Sequence, residues 1–173
     1  MQHIFFTTDI QNIKQTGNMT DIKIKHYTEN IHYEMEQTVR LMKKMTLQIF
    51  QKLGFDISPD EYAALDIVSM NAGICQRDLA KLLLKDRANT GRILDSLEEK
   101  GLVTRFIDTK NNRLVKKMGI TEKGYKKLNA ITKKLEVHVS GFAGKFSHGD
   151  VEKMHEMLKN FRAHLEEVVE MNI

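Results

Sequence analysis

Only two residues, Lys85 and Asp86, separate two amphipathic helical patterns in the middle of this chain. The first, "QRDLAKLLL" at 76–84, places Leu79, Leu82 and Leu83 inward. The second begins at Arg87 and carries Ile93, Leu94 and Leu97 on one side. Lys100-Gly101 closes it, since Gly takes the left-handed conformation at a helix end at little cost. Immediately afterwards the period changes. "LVTRFID" and "RLVKKMGI" are β-branched and aromatic, and the polar "TKNN" joins them, so they read as two strands of a hairpin.

Long helices flank this centre. Residues 27–53 show apolar positions at Ile31, Met35, Val39, Met42, Ile49 and Leu53, with Gly54 ending the helix. At "SPDE", Ser58 can cap, Pro59 suits the first helical position, and Glu61 can reach back to the cap. That helix carries Tyr62, Leu65 and Val68 and stops near Asn71-Ala72-Gly73. Thr121-Glu122-Lys123-Gly124 opens a long helix with Leu128, Ile131, Leu135 and Val139. After Gly144 to Gly149, a last helix carries Val151, Met154, Leu158, Phe161, Leu165 and Val168. The expected fold is mainly α with a small β-hairpin wing: a winged helix-turn-helix domain whose flanking helices form a dimerisation bundle. The expected organisation is a flexible N-terminal extension over 1–26, a first dimerisation helix over 27–57, a winged domain over 58–122 and C-terminal dimerisation helices over 123–173. Residues 1–18 are polar and unpatterned, and Met19 is a second plausible start.

Composition narrows the class. The chain has 173 residues, 41% hydrophobic and 29% charged, which suits a globular protein able to bury a core without disulfides or metal. One cysteine, Cys75, excludes an internal disulfide framework and suits a reducing cytoplasm. No apolar run approaches the ~20 residues needed to cross a bilayer, so no membrane association is expected. There is no Gly-rich phosphate loop, no Ser-His-Asp or Cys-His arrangement and no placed pair of carboxylates, so no enzyme and no cofactor is expected.

Charge is unevenly spread. Residues 75–117 contain eleven Lys/Arg against six Asp/Glu, net +5, whereas the whole chain carries only +4. A basic stretch inside an otherwise neutral protein is the footprint of a phosphate-binding face, although charge alone also fits a solvated lysine-rich surface. The leading turns of the second central helix hold only Arg87, Ala88, Asn89, Thr90, Gly91 and Arg92. With Ile93, Leu94 and Leu97 inward, Ala88, Gly91, Arg92 and Asp95 fall outward and Thr90 nearer the core. Small side chains there let a backbone approach base edges, where Arg92 matches guanine and Asn89 matches adenine. The second helix of a helix-turn-helix enters the major groove by its N-terminal end, and such an end also favours phosphate. Taken alone, a polar, Gly-containing first turn equally fits a frayed surface. The basic charge and the hairpin in register favour double-stranded DNA as the partner.

"DRANTGRILDSLEEKGLVTR", followed by a basic hairpin ending in "ITEKG", resembles the MarR family of bacterial winged-helix transcriptional regulators, over roughly residues 28–168. The resemblance implies a homodimer on a pseudo-palindromic operator, usually a repressor, released by a small ligand or oxidant. Family members usually carry Asp just before the wing-tip Arg. Here Asn stands in that place before Arg113, and an Asn orients an Arg less strongly than a carboxylate does. The strand from Arg113 to Thr121 also reads one residue long, which suggests a bulge. The DNA-facing candidates are Gln76, Arg77, Lys85, Arg87, Ala88, Asn89, Gly91, Arg92, Lys110, Asn112 and Arg113.

The apolar stripes of the end helices exceed what a small DNA-binding core covers. A second copy would bury them and set the two reading helices about one DNA turn, ~34 Å, apart, while an intramolecular bundle is the plainer alternative. The family would place an effector pocket at the junction of the first, second and fifth helices, which nominates His32, Met35, Tyr62 and Met70. Cys75 sits at the cap of the short helix, where a thiolate is favoured and redox sensing is conceivable, although it also simply fills a small-polar cap position. His26, His32, His138, His148, His155 and His164 show no ligand spacing, so no metal site is expected. The expected function is a sequence-specific transcriptional regulator. The alternative is a winged-helix interaction module that binds an acidic protein.

Overall fold

The computed structural model describes residues 26–110, 113–143 and 145–169, so nearly all of the expected N-terminal extension, and Asn112, lie outside the described residues. The chain divides into two units, Met1–Met45 and Thr46–Ile173. In the first, a 3₁₀ turn over Tyr27–Glu29 precedes helix α1 (Ile31–Lys52), which continues across the division. The helix does not begin at residue 27 as expected. Asn30 intervenes, its side-chain oxygen accepting the Tyr33 N–H at 2.9 Å, which is the capping role Asn performs well.

The second unit contains α2 (Pro59–Met70), β1 (Ile74–Cys75), α3 (Gln76–Leu83), α4 (Arg87–Glu99), β2 (Val103–Lys110), β3 (Arg113–Ile120), α5 (Glu122–Ala143) and α6 (His148–Val168). Its core joins Phe50, Ile57, Leu65, Val68, Leu79, Leu94, Leu97, Leu102, Val103, Met118, Leu128 and Ile131, so the central helices, the sheet and α5 share one apolar interior. The "SPDE" start of α2 forms the expected capping box: Ser58 Oγ accepts the Glu61 N–H at 3.2 Å and Glu61 accepts the Ser58 N–H at 2.6 Å. In α3, Leu79, Ala80 and Leu83 face inward, but Leu82 is 58% exposed. At ~100° per residue Leu82 lies roughly 100° from the middle of the 79–80–83 face, so an eight-residue helix cannot bury both sides.

The sheet has the order β1-β3-β2. β1 is too short to read from sequence, and it adds a third strand by pairing Ile74 with Met118 and Cys75 with Lys117. The hairpin register runs unbroken from Val103↔Ile120 to Lys110↔Arg113, so the bulge expected in β3 is absent. β2 reaches two residues further toward the tip than "TKNN" suggested, while β3 begins at Arg113 as expected.

At the base of the hairpin, Gly101 adopts φ +69° and turns the chain from α4 into β2. The Thr121 N–H donates to the Leu102 carbonyl at 3.0 Å, and its hydroxyl donates to the Gly101 carbonyl at 2.8 Å. That same hydroxyl accepts the Gly124 N–H at 3.0 Å and so caps α5. Gly124 is buried so tightly here that an added Cβ would lie 2.1 Å from the Leu102 oxygen and 2.7 Å from Ile120 Cγ1. The glycine of "ITEKG" is therefore a packing requirement.

Helix α6 differs from the other long helices. Every side chain described from Glu152 onward is exposed, including the apolar series Met154, Leu158, Phe161, Leu165 and Val168. Among the described residues no helix is long and apolar enough to cross a membrane. Because Gly124 meets backbone rather than a flexible side chain, Gly124→Ala is expected to lower stability by about 3 kcal/mol. Urea unfolding should show this as a lower midpoint at unchanged slope.

Candidate nucleic-acid interface

The turn between α3 and α4 is set by backbone. Leu84 adopts φ 51° and ends α3 in a left-handed cap, with the Lys85 N–H donating to the Ala80 carbonyl at 3.0 Å. Glycine is the usual residue there, so nothing in the run of leucines signals where α3 stops. Asp86 then caps α4, one carboxylate oxygen accepting the Asn89 N–H at 2.8 Å and the other its side-chain amide at 2.5 Å. The Asn89 backbone N–H, together with its amide, holds the Asp86 carboxyl below the usual carboxylate range. The cap remains charged at neutral pH and complements the helix N-terminus.

From this cap, α4 sorts its side chains as its wheel dictates. Thr90 is fully buried and its hydroxyl donates to the Asp86 carbonyl at 2.9 Å, so it packs as expected. Arg87, Ala88, Asn89, Arg92 and Asp95 are exposed. Gly91 departs from its expected outward place. It is half-buried, and a Cβ on it would lie 3.1 Å from the side-chain nitrogen of Gln76. Gln76 in turn donates to the Arg87 carbonyl at 2.9 Å. Gln76 and Gly91 therefore form the seam between α3 and α4, where the absence of a side chain lets the two helices meet.

Five of the eleven cations of the basic stretch are held in ion pairs. Arg77 lies 3.4 Å from Asp78, Lys85 2.9 Å from Asp60, Lys100 2.5 Å from Glu61, and Lys117 2.5 Å from Asp108. Arg105 spans Asp95 at 2.6 Å and Glu98 at 3.0 Å. Arg92 and Lys116 are exposed and in no ion pair among the described residues. Lys110 and Arg113 are described by backbone alone, as the last register pair of the wing. The structure thus brings Arg87, Ala88, Asn89 and Arg92 together on one exposed helix end, whereas Lys85 is turned to α2.

The far half of α4 is anchored to α2. Glu61, only 7% exposed, accepts from Ser96 Oγ at 2.6 Å and from Lys100 Nζ at 2.5 Å besides its capping bond. Burial alone would raise this carboxyl. Hydrogen bonds from Lys100, the Ser58 N–H and Ser96 outweigh it and hold the group below its ordinary value. Sequence reasoning assigned Glu61 to its cap and missed its hold on α4, because the partners lie 35 and 39 residues away.

Cys75 occupies the N-cap position of α3 but accepts no backbone N–H. Its thiol donates to the Asp78 carboxylate at 3.0 Å, and this bond is the main reason that the Asp78 carboxyl lies below its usual range. Of the residues nominated for an effector, Tyr62 bonds Thr132 Oγ1 at 2.9 Å and meets the Phe50 ring edge-on. Met70, eight residues or about 12 Å further along α2, is 79% exposed. Two clefts of about 460 and 360 Å³ lie elsewhere, one lined by Gly73, Ile74 and Lys81, the other by Phe55, Asp56, Lys127 and Lys134. Neither is lined by Tyr62 or Met70. His32 and Met35 belong to the first unit. Among the described residues no three His, Cys, Asp or Glu side chains converge to hold a metal.

Residues 57–115, which carry this geometry, match the sequence profile of the MarR family. Over those residues the chain is similar to the MarR family. The HTH-type transcriptional regulator YybA of Bacillus subtilis (strain 168) is 29% identical over 121 residues, 68% of this chain and 80% of the relative. The transcriptional regulator SlyA shares the fold at TM-score 0.67 and 25% identity, over 80% of this chain and 95% of its own. The S. aureus MepR–DNA complex does so at TM-score 0.65 and 25% identity, over 79% of this chain and 98% of its own. With this profile match and a winged helix, the chain is a DNA-binding transcriptional regulator and not an enzyme.

The Glu61 arrangement has a pH signature. A carboxyl whose folded pKa lies below its unfolded one adds stability at pH values above the unfolded value, about 4.3, and loses it as pH falls through the folded value. Glu61→Gln is therefore expected to flatten the fall in stability on acidification below that range, measured by urea midpoints across the pH series.

Proposed function

We propose that this MarR-family regulator is a cytoplasmic homodimeric repressor that reads a pseudo-palindromic operator with α4 in the major groove and leaves it when a small ligand binds. The observation that carries this reading is the N-terminal end of α4, where Arg92 stands exposed beside Ala88 and Asn89 and in no ion pair among the described residues. An unengaged guanidinium offers two donors to the paired acceptors of guanine. The Asn89 amide gives one proton to Asp86 and keeps its oxygen and second proton for an adenine edge. The phosphate-facing part falls to the wing, through Lys110, Asn112 and Arg113, and to Arg77 and Arg87 around the turn. The MepR neighbour, solved as a complex with DNA, supports the same mode of use.

Dimerisation is supported by α6. Its exposed Met154, Leu158, Phe161, Leu165 and Val168 recur at helical spacing, a stripe that a second copy would bury. Residues 58–122 then act as the reading domain, with 27–57 and 123–173 supplying the contact between copies. Release by a small ligand rests on the family resemblance.

Selection from random duplex DNA at two salt concentrations tests this reading. An enriched inverted repeat with half-sites about 10 base pairs apart is expected, and its affinity should fall steeply with salt. Arg92→Ala should cost about 1–3 kcal/mol and relax preference at one base pair per half-site. Arg113→Ala should weaken all sequences alike and lower the salt slope by about 1. Enrichment of nothing, with capture of an acidic protein instead, would replace the reading with that of an interaction module.

A further inference from the structure

The ion pairs of Arg105 place a problem of charge beside the reading surface. Asp95 lies one turn beyond Arg92 on the exposed stripe of α4, and Glu98 one turn beyond Asp95. Both carboxylates are exposed, with 58% and 41% of their side-chain surface open. Phosphates approaching α4 would meet them as like charges, least screened at low salt. Arg105, from the first strand of the wing, reaches across to both, one guanidinium nitrogen on Asp95 at 2.6 Å and another on Glu98 at 3.0 Å. Its own side chain is only 26% exposed, which suits a cation turned toward α4 more than one offered to an outside phosphate. A guanidinium has the planar fork needed to serve two carboxylates at once, which a lysine lacks.

We propose that Arg105 is a positioning residue for DNA reading that acts as a charge mask. By neutralising Asp95 and Glu98 it lets the face bearing Arg92 meet the phosphate backbone without repulsion, and it ties the wing to the reading helix. The inference rests on the DNA-reading role proposed for α4. It assigns a function to an arginine of the basic stretch other than direct contact with the nucleic acid.

The test is DNA binding by the full chain and its variants across a salt series, using the duplex enriched in the selection above. Arg105→Met should weaken binding about tenfold at low salt, and the deficit should shrink as salt rises. Adding Asp95→Asn and Glu98→Gln to Arg105→Met should restore affinity to near the wild-type level, which a loss of fold would not allow. The Asp95→Asn, Glu98→Gln pair in the wild-type background serves as the second variant, and should bind at least as well as wild type. An Arg105→Met deficit that neutralising the carboxylates does not rescue, with a salt slope lower by about 1, would make Arg105 a phosphate contact and overturn the proposal. So would weaker binding by the carboxylate pair of variants alone. Failure of the wild type to bind any duplex would instead remove the DNA reading itself, an outcome visible before any variant is made.

Discussion

One buried carboxylate ties α4 to the rest of the second unit. Glu61 closes the capping box of α2 through the Ser58 N–H, and the same group receives Ser96 from the middle of α4 and Lys100 from its end. Leu94 and Leu97 bury the apolar side of α4, but burial is non-directional and would tolerate rotation or sliding. Hydrogen bonds to a charged acceptor are directional and short, so they set the register of α4 along α2. The carboxylate in turn depends on having all three donors, since a charge this far from water is costly when unpaired.

The same division of labour recurs at the base of the wing. Apolar contacts of Val103, Met118 and Leu102 close the core, while the Leu102 carbonyl and the Thr121 hydroxyl fix how α5 leaves the sheet. Gly124 permits this because backbone occupies the space that a methyl group would need. Lys123 adds a bond from its ammonium to the Lys100 carbonyl at 2.6 Å, so the end of α4 is held by both α2 and α5. The N-terminal turns of α4 lie outside these ties, and they carry the small and polar residues.

Much of this was legible in the sequence because it is local. The "SPDE" box, the Gly101 turn, the change of period at Leu102 and the burial of Thr90 each depend on residues a few positions apart. What was not legible depends on distant partners or on backbone. Leu84 ends α3 in a conformation its side chain does not announce, and β1 is two residues long and exists only because β3 passes beside it. Gly91 looked outward on a wheel drawn for α4 alone, since the wheel omits Gln76 on the neighbouring helix. The bulge expected in β3 came from comparing its length with the family pattern, and the unbroken register overturns it.

The charge of the central stretch shows why a local count misjudges a surface. A net +5 over residues 75–117 suggested many cations ready for phosphate, yet five of the eleven are held by carboxylates, two of which come from α2, outside that stretch. Asp60 and Glu61 draw Lys85 and Lys100 toward α2, while Asp95, Glu98 and Asp108 hold Arg105 and Lys117 on the wing side. Those cations order the domain. Long-range attraction to a polyanion still follows from the summed charge, because a field does not depend on which pairs are formed. Discrimination between bases needs a donor that is exposed and uncommitted, and on α4 Arg92 meets both conditions. On the proposed reading, general affinity and sequence preference fall to different residues of the same basic stretch.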